Sequence, residues 1–563
     1  PFVESKIKAK QFFTEVREQS HDLMTWAGEL YFEYHRGTYT SQAANKRFNR
    51  LTEFLLRDAE WLSCFRKDFD KAYPAERLEA AWKLILLNQF HDIIPGSSVR
   101  EVYEDSDRDY AQIIEEGEAL VKEAMESIAS GMDTSGMNQP VAIFHNADVT
   151  SEASLPWTAT EAPQSITCGE ESLPVQLVET STERKIIFPV PAAARGTVAV
   201  ADFSESSPYH QQRLKVGSRK IESDEWAVKF DANGNITSIQ SLDDEPIEFI
   251  QPGKLANLFQ ILDDRPLFWD AWDTDAYAQE TAVDLVKSES FEIVERGPVR
   301  VAVELVKTFG KSTIRQRISL GPTPGIRFDT WVDWHEDFKF LKVAFPLNVN
   351  TNRATFEIQF GHVERPTHRN TSWDMARFEV CAQKWVDMSE GGHGVALINT
   401  GKYGHDVLDN VLRLSLLRSP KAPDPICDRG QHHFSYVLMP HFDQVQHSEV
   451  IQAAYAVNAD PRILPLKPSQ GESGELPPLV TVDNRSVVIE SVKKAEDSKH
   501  LIVRMYECHN TRGAAHLSMA MPIKRAWIVD LNETVLSECQ GVSDGTVAFS
   551  YTPFEIVTLM VEI

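Results

Sequence analysis

Apolar residues recur at helical spacing through the first 130 or so positions and at alternating spacing through much of the rest. Phe12, Phe13 and Val16 mark one face of a short amphipathic helix within residues 1–20. Ala44, Phe48, Leu51, Leu55, Ala59 and Leu62 predict a helix from 43 to about 66. Pro74 suits the first turn of a second helix, whose stripe is Leu78, Ala81, Trp82 and Ile85. A third, from about 98 to 129, turns Val99, Tyr103, Tyr110, Ile113, Leu120 and Ala124 inward. Three such helices with short links make a bundle, and the stripes are its core.

The pattern changes near Gly131. The stretch GMDTSGMNQP (131–140) has the composition of a linker, and the chain after it is mostly β. Strands are expected at 141–146 and 185–190, and a hairpin at 226–241 around the turn DANGN. More follow at 293–309, 313–319, 326–333 and 339–345. A second linker, LPLKPSQGESGELPPL (464–479), precedes strands at 486–491, 500–506, 516–520 and 546–561. The fold class is multidomain: a three-helix bundle followed by mainly antiparallel β-sandwich domains.

At 563 residues the chain is long enough for roughly four domains of about 150 residues each. The formal net charge of -26 argues against nucleic acid and anionic membrane surfaces as partners, and suits a neutral one such as a sugar. No apolar run is long enough to predict a membrane span. The six cysteines lack CxxC spacing and read as free thiols in a reducing, cytoplasmic compartment.

The segment NQFHDIIPGSS (88–98) carries the chemistry most worth pursuing. His91 and Asp92 sit side by side past a helix, and Pro95 and Gly96 stop that helix. Ser98 with Glu101 has the spacing of a capping box for the next one. A neutral imidazole binds zinc, and a neighbouring carboxylate can orient a ligand or grip a hydroxyl. The same pair also reads as a capping Asp beside a hydrogen-bonded His, since one His and one Asp do not complete a zinc site. In DDRPLFWDAWDTDAY (263–277), Trp269, Asp270 and Trp272 combine flat apolar faces with carboxylates, as sugar sites do. They read equally as a strand edge with buried Trp residues. In HVERPTHRNTSWDMARFEV (362–380) the density of Arg365, His368, Arg369, Trp373, Asp374 and Arg377 suits a domain interface with paired charges.

NQFHDIIPGSS closely resembles a signature of glycoside hydrolase family 38, the zinc-dependent retaining α-mannosidases. WAGELYFEYHRGTYTSQ (26–42), PLFWDAWD (266–273), RPTHRNTSWDMARFEV (365–380) and KYG (402–404) with LSLLRSPKAPD (414–424) resemble the same family in the same order, and the downstream blocks resemble its cytosolic and vacuolar branch. The resemblance covers essentially the whole chain. It implies a helical bundle with the end of a catalytic region at 1–130, a small β-domain at 131–220, a β-super-sandwich at 221–463, and a linker with a C-terminal β-sandwich at 464–563.

It further implies hydrolysis of terminal α-mannosides of an oligosaccharide, with zinc as cofactor. His91 carries over as the fourth zinc ligand, and Asp92 as a contact to sugar hydroxyls or to the ligand shell. Trp269, Asp270 and Trp272 carry over as sugar-facing. The family's nucleophile and acid/base lie on a barrel that precedes the helices. No His-x-Asp segment stands ahead of the helices here, so the catalytic residues are expected on a missing N-terminal barrel, and this chain alone is expected to be inactive. A vacuolar or lysosome-like compartment is also compatible, and the oligomeric state stays open, a homo-oligomer included. Two other readings remain. One is a non-catalytic carbohydrate-binding or assembly module. The other is an aldose-epimerase-like sandwich with His362 and Glu364 or His335 and Glu336 as nominal pairs, the second disfavoured because strand neighbours point to opposite faces.

Overall fold

A computed structural model describes residues 8–66, 69–180, 183–204, 213–543 and 545–563. Residues 1–34 and 35–563 form two compact units. In the first, helix Ala9–Gln19 buries none of its residues, and Phe12 and Phe13 are exposed. The part of that helix expected before residue 8 lies outside the described residues.

The second unit begins with helices Ala43–Cys64, Ala75–Asn88 and Arg100–Ala129, which share one core. Leu55, Ala59, Leu78, Ile85, Tyr110, Ile113 and Leu120 meet there, as their spacing predicts. Gly117 lets the long helix approach closely: a Cβ on it would lie 2.7 Å from the Leu55 side chain. Some expectations shift: Val99, expected inward on the third helix, stands before it and is exposed. Pro74 stands just before its helix rather than inside the first turn. Ala44 and Leu51 face outward. Helix Ala43–Cys64 is nevertheless buried along most of its length, its polar Arg50, Arg57 and Asp58 included. Those side chains are covered because the β-regions pack on the face that the hydrophobic pattern leaves to solvent.

The hairpin at 226–241 forms as strands Trp226–Phe230 and Ile236–Ser241, with Asp231 tying the turn through the backbone N–H groups of Asn233 and Asn235. The expected strand at 293–309 is two, Ser290–Arg296 and Val301–Phe309, and that at 546–561 is likewise Thr546–Tyr551 and Ile556–Glu562. Among the described residues, nine strands from Ser290–Arg296 to Gly361–Pro366 form one antiparallel sheet. It packs on a six-stranded sheet built around Lys339–Pro346 and Val411–Arg418, where Phe328 and Tyr436 of the first meet Phe345 of the second. That is the β-super-sandwich. A smaller pair of sheets holds Pro140–Phe144 and Arg184–Val190, and a five- and a four-stranded sheet close the chain.

The stretch 464–479 does more than link. Strand Arg462–Pro465 pairs with Pro140–Phe144, and Glu475–Leu476 with Val198–Ser204, so its ends complete the smaller domain's sheet. Leu464, Leu466 and Leu476 pack on the core of the helices. These apolar side chains alternate with Pro, Ser and Gly, which hides them in composition.

Candidate functional site

Four blocks distant in sequence meet at Ser41. The turn Arg36–Tyr39 presents the N–H of Gly37 to the Trp272 carbonyl at 2.9 Å. The Ser41 hydroxyl bonds the Ala271 carbonyl at 2.9 Å. Beneath them lies Arg418, 0% exposed. Its guanidinium pairs with Asp264 at 2.6 Å and donates to the carbonyls of Asp270 and Asp273 at 3.0 and 2.6 Å and to the Ser41 hydroxyl at 2.9 Å. A fixed planar fork suits this task, since it holds several oxygens at set angles. Gly37 leaves it room: a Cβ there would overlap the guanidinium.

Lys46 ties in the fourth block. Its buried ammonium donates to the carbonyls of Ser41 at 2.5 Å, Ile94 at 2.8 Å and Pro95 at 3.3 Å. Burial pulls it down to about 7, against the pull of nearby Asp428. Gly96 touches the same carbonyl, and a Cβ on it would lie 2.4 Å from the Ser41 oxygen at a φ of +91°. Asp428 then caps helix Ala43–Cys64, accepting from the N–H groups of Gln42 at 2.9 Å and Ala43 at 2.7 Å. Asp424 takes the Gln42 side-chain amide at 2.8 Å.

On this base His91 and Asp92 stand adjacent, His91 Nε2 lying 3.3 Å from Asp92 Oδ2. The His91 side chain is 76% exposed. Its ring leans on Phe90, centroids 4.2 Å apart. The backbone beneath is held: the Asp92 carbonyl accepts from the Ser98 hydroxyl at 2.8 Å, and the Tyr103 hydroxyl bonds the Ile93 carbonyl at 3.2 Å. The Ser98–Glu101 capping box does not form. The helix starts at Arg100, after Val99, because the Ser98 hydroxyl turns back to Asp92 instead of capping.

Trp269 is 69% exposed and meets Trp272 edge to face, centroids 5.6 Å apart. Its φ of +62° is unusual for a bulky side chain, and the N–H groups of Trp272 and Asp273 on its carbonyl hold it there. The Asp270 carboxylate accepts from the Lys421 N–H at 3.3 Å. Asp273, raised above the ordinary carboxylate range by burial, bonds Arg36. Arg36 also donates to the Ala376 carbonyl at 3.0 Å, drawing in the 362–380 block, where Thr371 caps the short helix Ser372–Ala376 and Asp374 accepts from the Thr371 N–H.

Residues 33–128 match the alpha mannosidase middle domain, 221–426 the glycosyl hydrolases family 38 C-terminal domain, and 486–559 that family's C-terminal beta sandwich domain. The chain belongs to glycosyl hydrolase family 38. It is 36% identical to alpha-mannosidase 2C1 of Homo sapiens over 98% of this chain and 52% of that protein. It is 31% identical to an alpha-mannosidase of Saccharomyces cerevisiae over 94% of this chain and 48% of that one. The chain thus spans about half the length of the relatives it matches. An alpha-mannosidase structure from Enterococcus faecalis V583 superposes with a TM-score of 0.80 at 17% identity, over 98% of this chain and 72% of that one, a likeness of fold.

In this family 38 chain the expected site residues therefore fall on two loops, His91 with Asp92 on one and Trp269, Asp270 and Trp272 on the other, joined through Lys46, Ser41 and Arg418. These last three, with Asp264, were not singled out from sequence. A Lys or Arg in an apolar stretch, as in LSLLRSP, is the signal that points to Arg418. Of the epimerase-like pairs, His335 bonds Asp333 at 2.9 Å while Glu336 accepts from Lys311, and the His362 ring packs against Phe554 while Glu364 pairs with Arg353 at 2.7 Å.

His91 and Asp92 are donors of the kind zinc takes. Among the described residues no group of three or more His, Cys, Asp or Glu is placed to hold a metal. By themselves the two do not complete a zinc site.

Proposed function

We propose that this chain is the carboxy-terminal part of a zinc-dependent retaining α-mannosidase that removes terminal α-mannosyl residues from oligosaccharides. The observation that carries the reading is the exposed His91–Asp92 pair, braced from below through Lys46 and Arg418. Zinc, where bound, would hold and polarise sugar hydroxyls. His91 lends it a ring nitrogen, and Asp92 orients that ring or accepts from a sugar hydroxyl. Trp269 and Trp272 offer apolar faces to the pyranose, with Asp270 beside them. The nucleophile and acid/base, the two carboxyl groups a retaining glycosidase needs, come from a barrel outside this chain. The relatives' roughly twofold greater length supports that division. The six free cysteines support a reducing, cytoplasmic setting.

The test is zinc analysis with an assay on a nitrophenyl α-mannoside. The chain alone is expected to release no nitrophenol and to hold well under one zinc. Assembled with its barrel it should hold about one zinc and hydrolyse the substrate, and His91→Ala should lose both. Hydrolysis by the chain alone would overturn the proposal. The exposure of Trp269 favours one second reading, a sugar-binding module without catalysis. Binding without hydrolysis in the assembled protein would select it.

A further inference from the structure

A cleft of about 1020 Å³ lies between the helices and the two β-regions that pack on them. Helix Ala43–Cys64 gives its wall Lys46, Arg50, Glu53 and Arg57, three cations and one acid along a single face. The β-regions add Gln383, Lys384, Tyr403 and Glu490.

These cations are unevenly paired. Arg57 lies 3.3 Å from Glu490, and Lys384 lies 2.6 Å from Glu357. Lys46 and Arg50, each 4% exposed, have no carboxylate at ion-pair distance among the described residues. Lys46 spends its N–H groups on three carbonyls, and burial pulls it down to about 7. Arg50 meets neutral partners: the side-chain oxygens of Asn458 at 2.9 Å and Gln383 at 3.4 Å, and the Tyr403 ring at 5.0 Å. Other arginines buried as deeply hold a carboxylate, Arg300 at 2.8 Å from Glu295 and Arg418 at 2.6 Å from Asp264. Glu53 forms no ion pair. It accepts from Gln89 at 2.7 Å, and burial raises it above the ordinary carboxylate range, against the pull of Arg50. Two buried cations therefore stand over one acid that burial itself drives toward the neutral form.

Donors are left over as well. The Tyr403 hydroxyl, buried beside Asn49 and Arg50, has no partner at bonding geometry, and neither have Nε and Nη2 of Arg57. Buried donors without acceptors cost free energy, which an anion among them would recover. Farther along the cleft Arg504 also lacks a carboxylate, donating to the Thr558 hydroxyl and the Leu531 carbonyl, but Glu60 and Glu496 stand near it. The excess of positive charge is at the Lys46–Arg50 end.

We propose that this end of the cleft binds a small dianionic oxyanion, the phosphate group of a phosphomonoester, on Arg50 and Tyr403 in the field of Lys46 and Arg57. Such a group carries a charge of about -1.5 to -2 near pH 7 and presents three acceptor oxygens, which answers two unneutralised cations and the leftover donors together. The inference does not rest on the function proposed above.

The experiment is calorimetric titration of the full chain with inorganic phosphate and with glycerol phosphate at constant ionic strength, chloride and glycerol serving as controls. Both phosphates should bind saturably, and the controls should not. Arg50→Gln should weaken binding by about tenfold or more, the scale of one hydrogen bond to a charged group. A crystal of the wild-type protein soaked in arsenate should show an anomalous peak within hydrogen-bond reach of Arg50. The soak needs no variant, so an Arg50→Gln that fails to fold does not remove the test. Absence of saturable binding, an arsenate peak elsewhere, or undiminished binding by folded Arg50→Gln overturns the site. Tighter binding of glycerol phosphate than of phosphate supports an ester as the occupant, and equal binding overturns the ester in favour of free phosphate. None of these outcomes touches zinc loading or hydrolysis by the assembled enzyme, so the two proposals fail separately.

Discussion

Arg418 shows how much one side chain can organise. It is buried with Asp264 as its ion partner, and its remaining N–H groups hold the backbone of 270–273 and the hydroxyl of Ser41. Removing it leaves Asp264 buried with no cation, only the Thr274 hydroxyl. Arg418→Met is therefore expected to lower stability by about 3–5 kcal/mol, read as a shift of the denaturant midpoint. Arg418→Lys should not rescue it, because an ammonium lacks the planar fork. Glu60 gives a pH signature. Burial raises it from 4.5 to about 7, against Lys493 and the Trp82 indole. The folded state then binds the proton more tightly than the unfolded chain. Its contribution is fully present below pH 4.5 and is lost as pH rises through about 7. In a denaturation series from pH 4 to 8, Glu60→Gln should remove a decline of about 1–3 kcal/mol.

At the scale of elements, the His91 loop is held by what lies under it. Gly96 at a φ of +91° is pressed against the Ser41 carbonyl, which Lys46 also holds. Gly96→Ala adds both backbone strain and overlap. It should loosen the loop, seen as faster amide exchange at 91–97, while the helices keep their protection. Helix Ala43–Cys64 depends on a residue nearly four hundred positions away. Asp428 accepts from its first N–H groups, and Asp428→Ala should cost about 1–2 kcal/mol, measured as a fall in the thermal midpoint.

Across the whole second unit, the same helix is the hub. Asp58 lies 3.3 Å from Arg195 of the smaller β-domain and 3.6 Å from Arg462. Arg57 reaches Glu490 of the C-terminal sandwich, and Trp61 and Cys64 enter that sandwich's core. Such ties predict that helices and β-domains unfold together. Calorimetry should show one transition for residues 35–563, and Asp58→Ala, which takes the carboxylate from half-buried Arg195 and leaves Arg462 with Glu118 alone, should split it.

The sequence by itself determined the elements and the family. Helical and alternating spacing placed the three long helices and most strands, because each element buries one face and the period of that face is local. The blocks around His91, Trp269 and Arg418 carried the kinship. The sequence did not show that Arg50, Arg57 and Asp58 are interior, because a charge with its partner hundreds of residues away reads locally as solvent-facing. It misread Ser98 as a cap: there the hydroxyl oxygen would accept from a helix N–H, whereas in the folded loop the hydroxyl donates to the Asp92 carbonyl. Tertiary structure alone decided that four separate blocks meet at Ser41 and that a polar cleft opens behind them. Contacts between distant segments are set by how whole elements pack, and no local pattern encodes that.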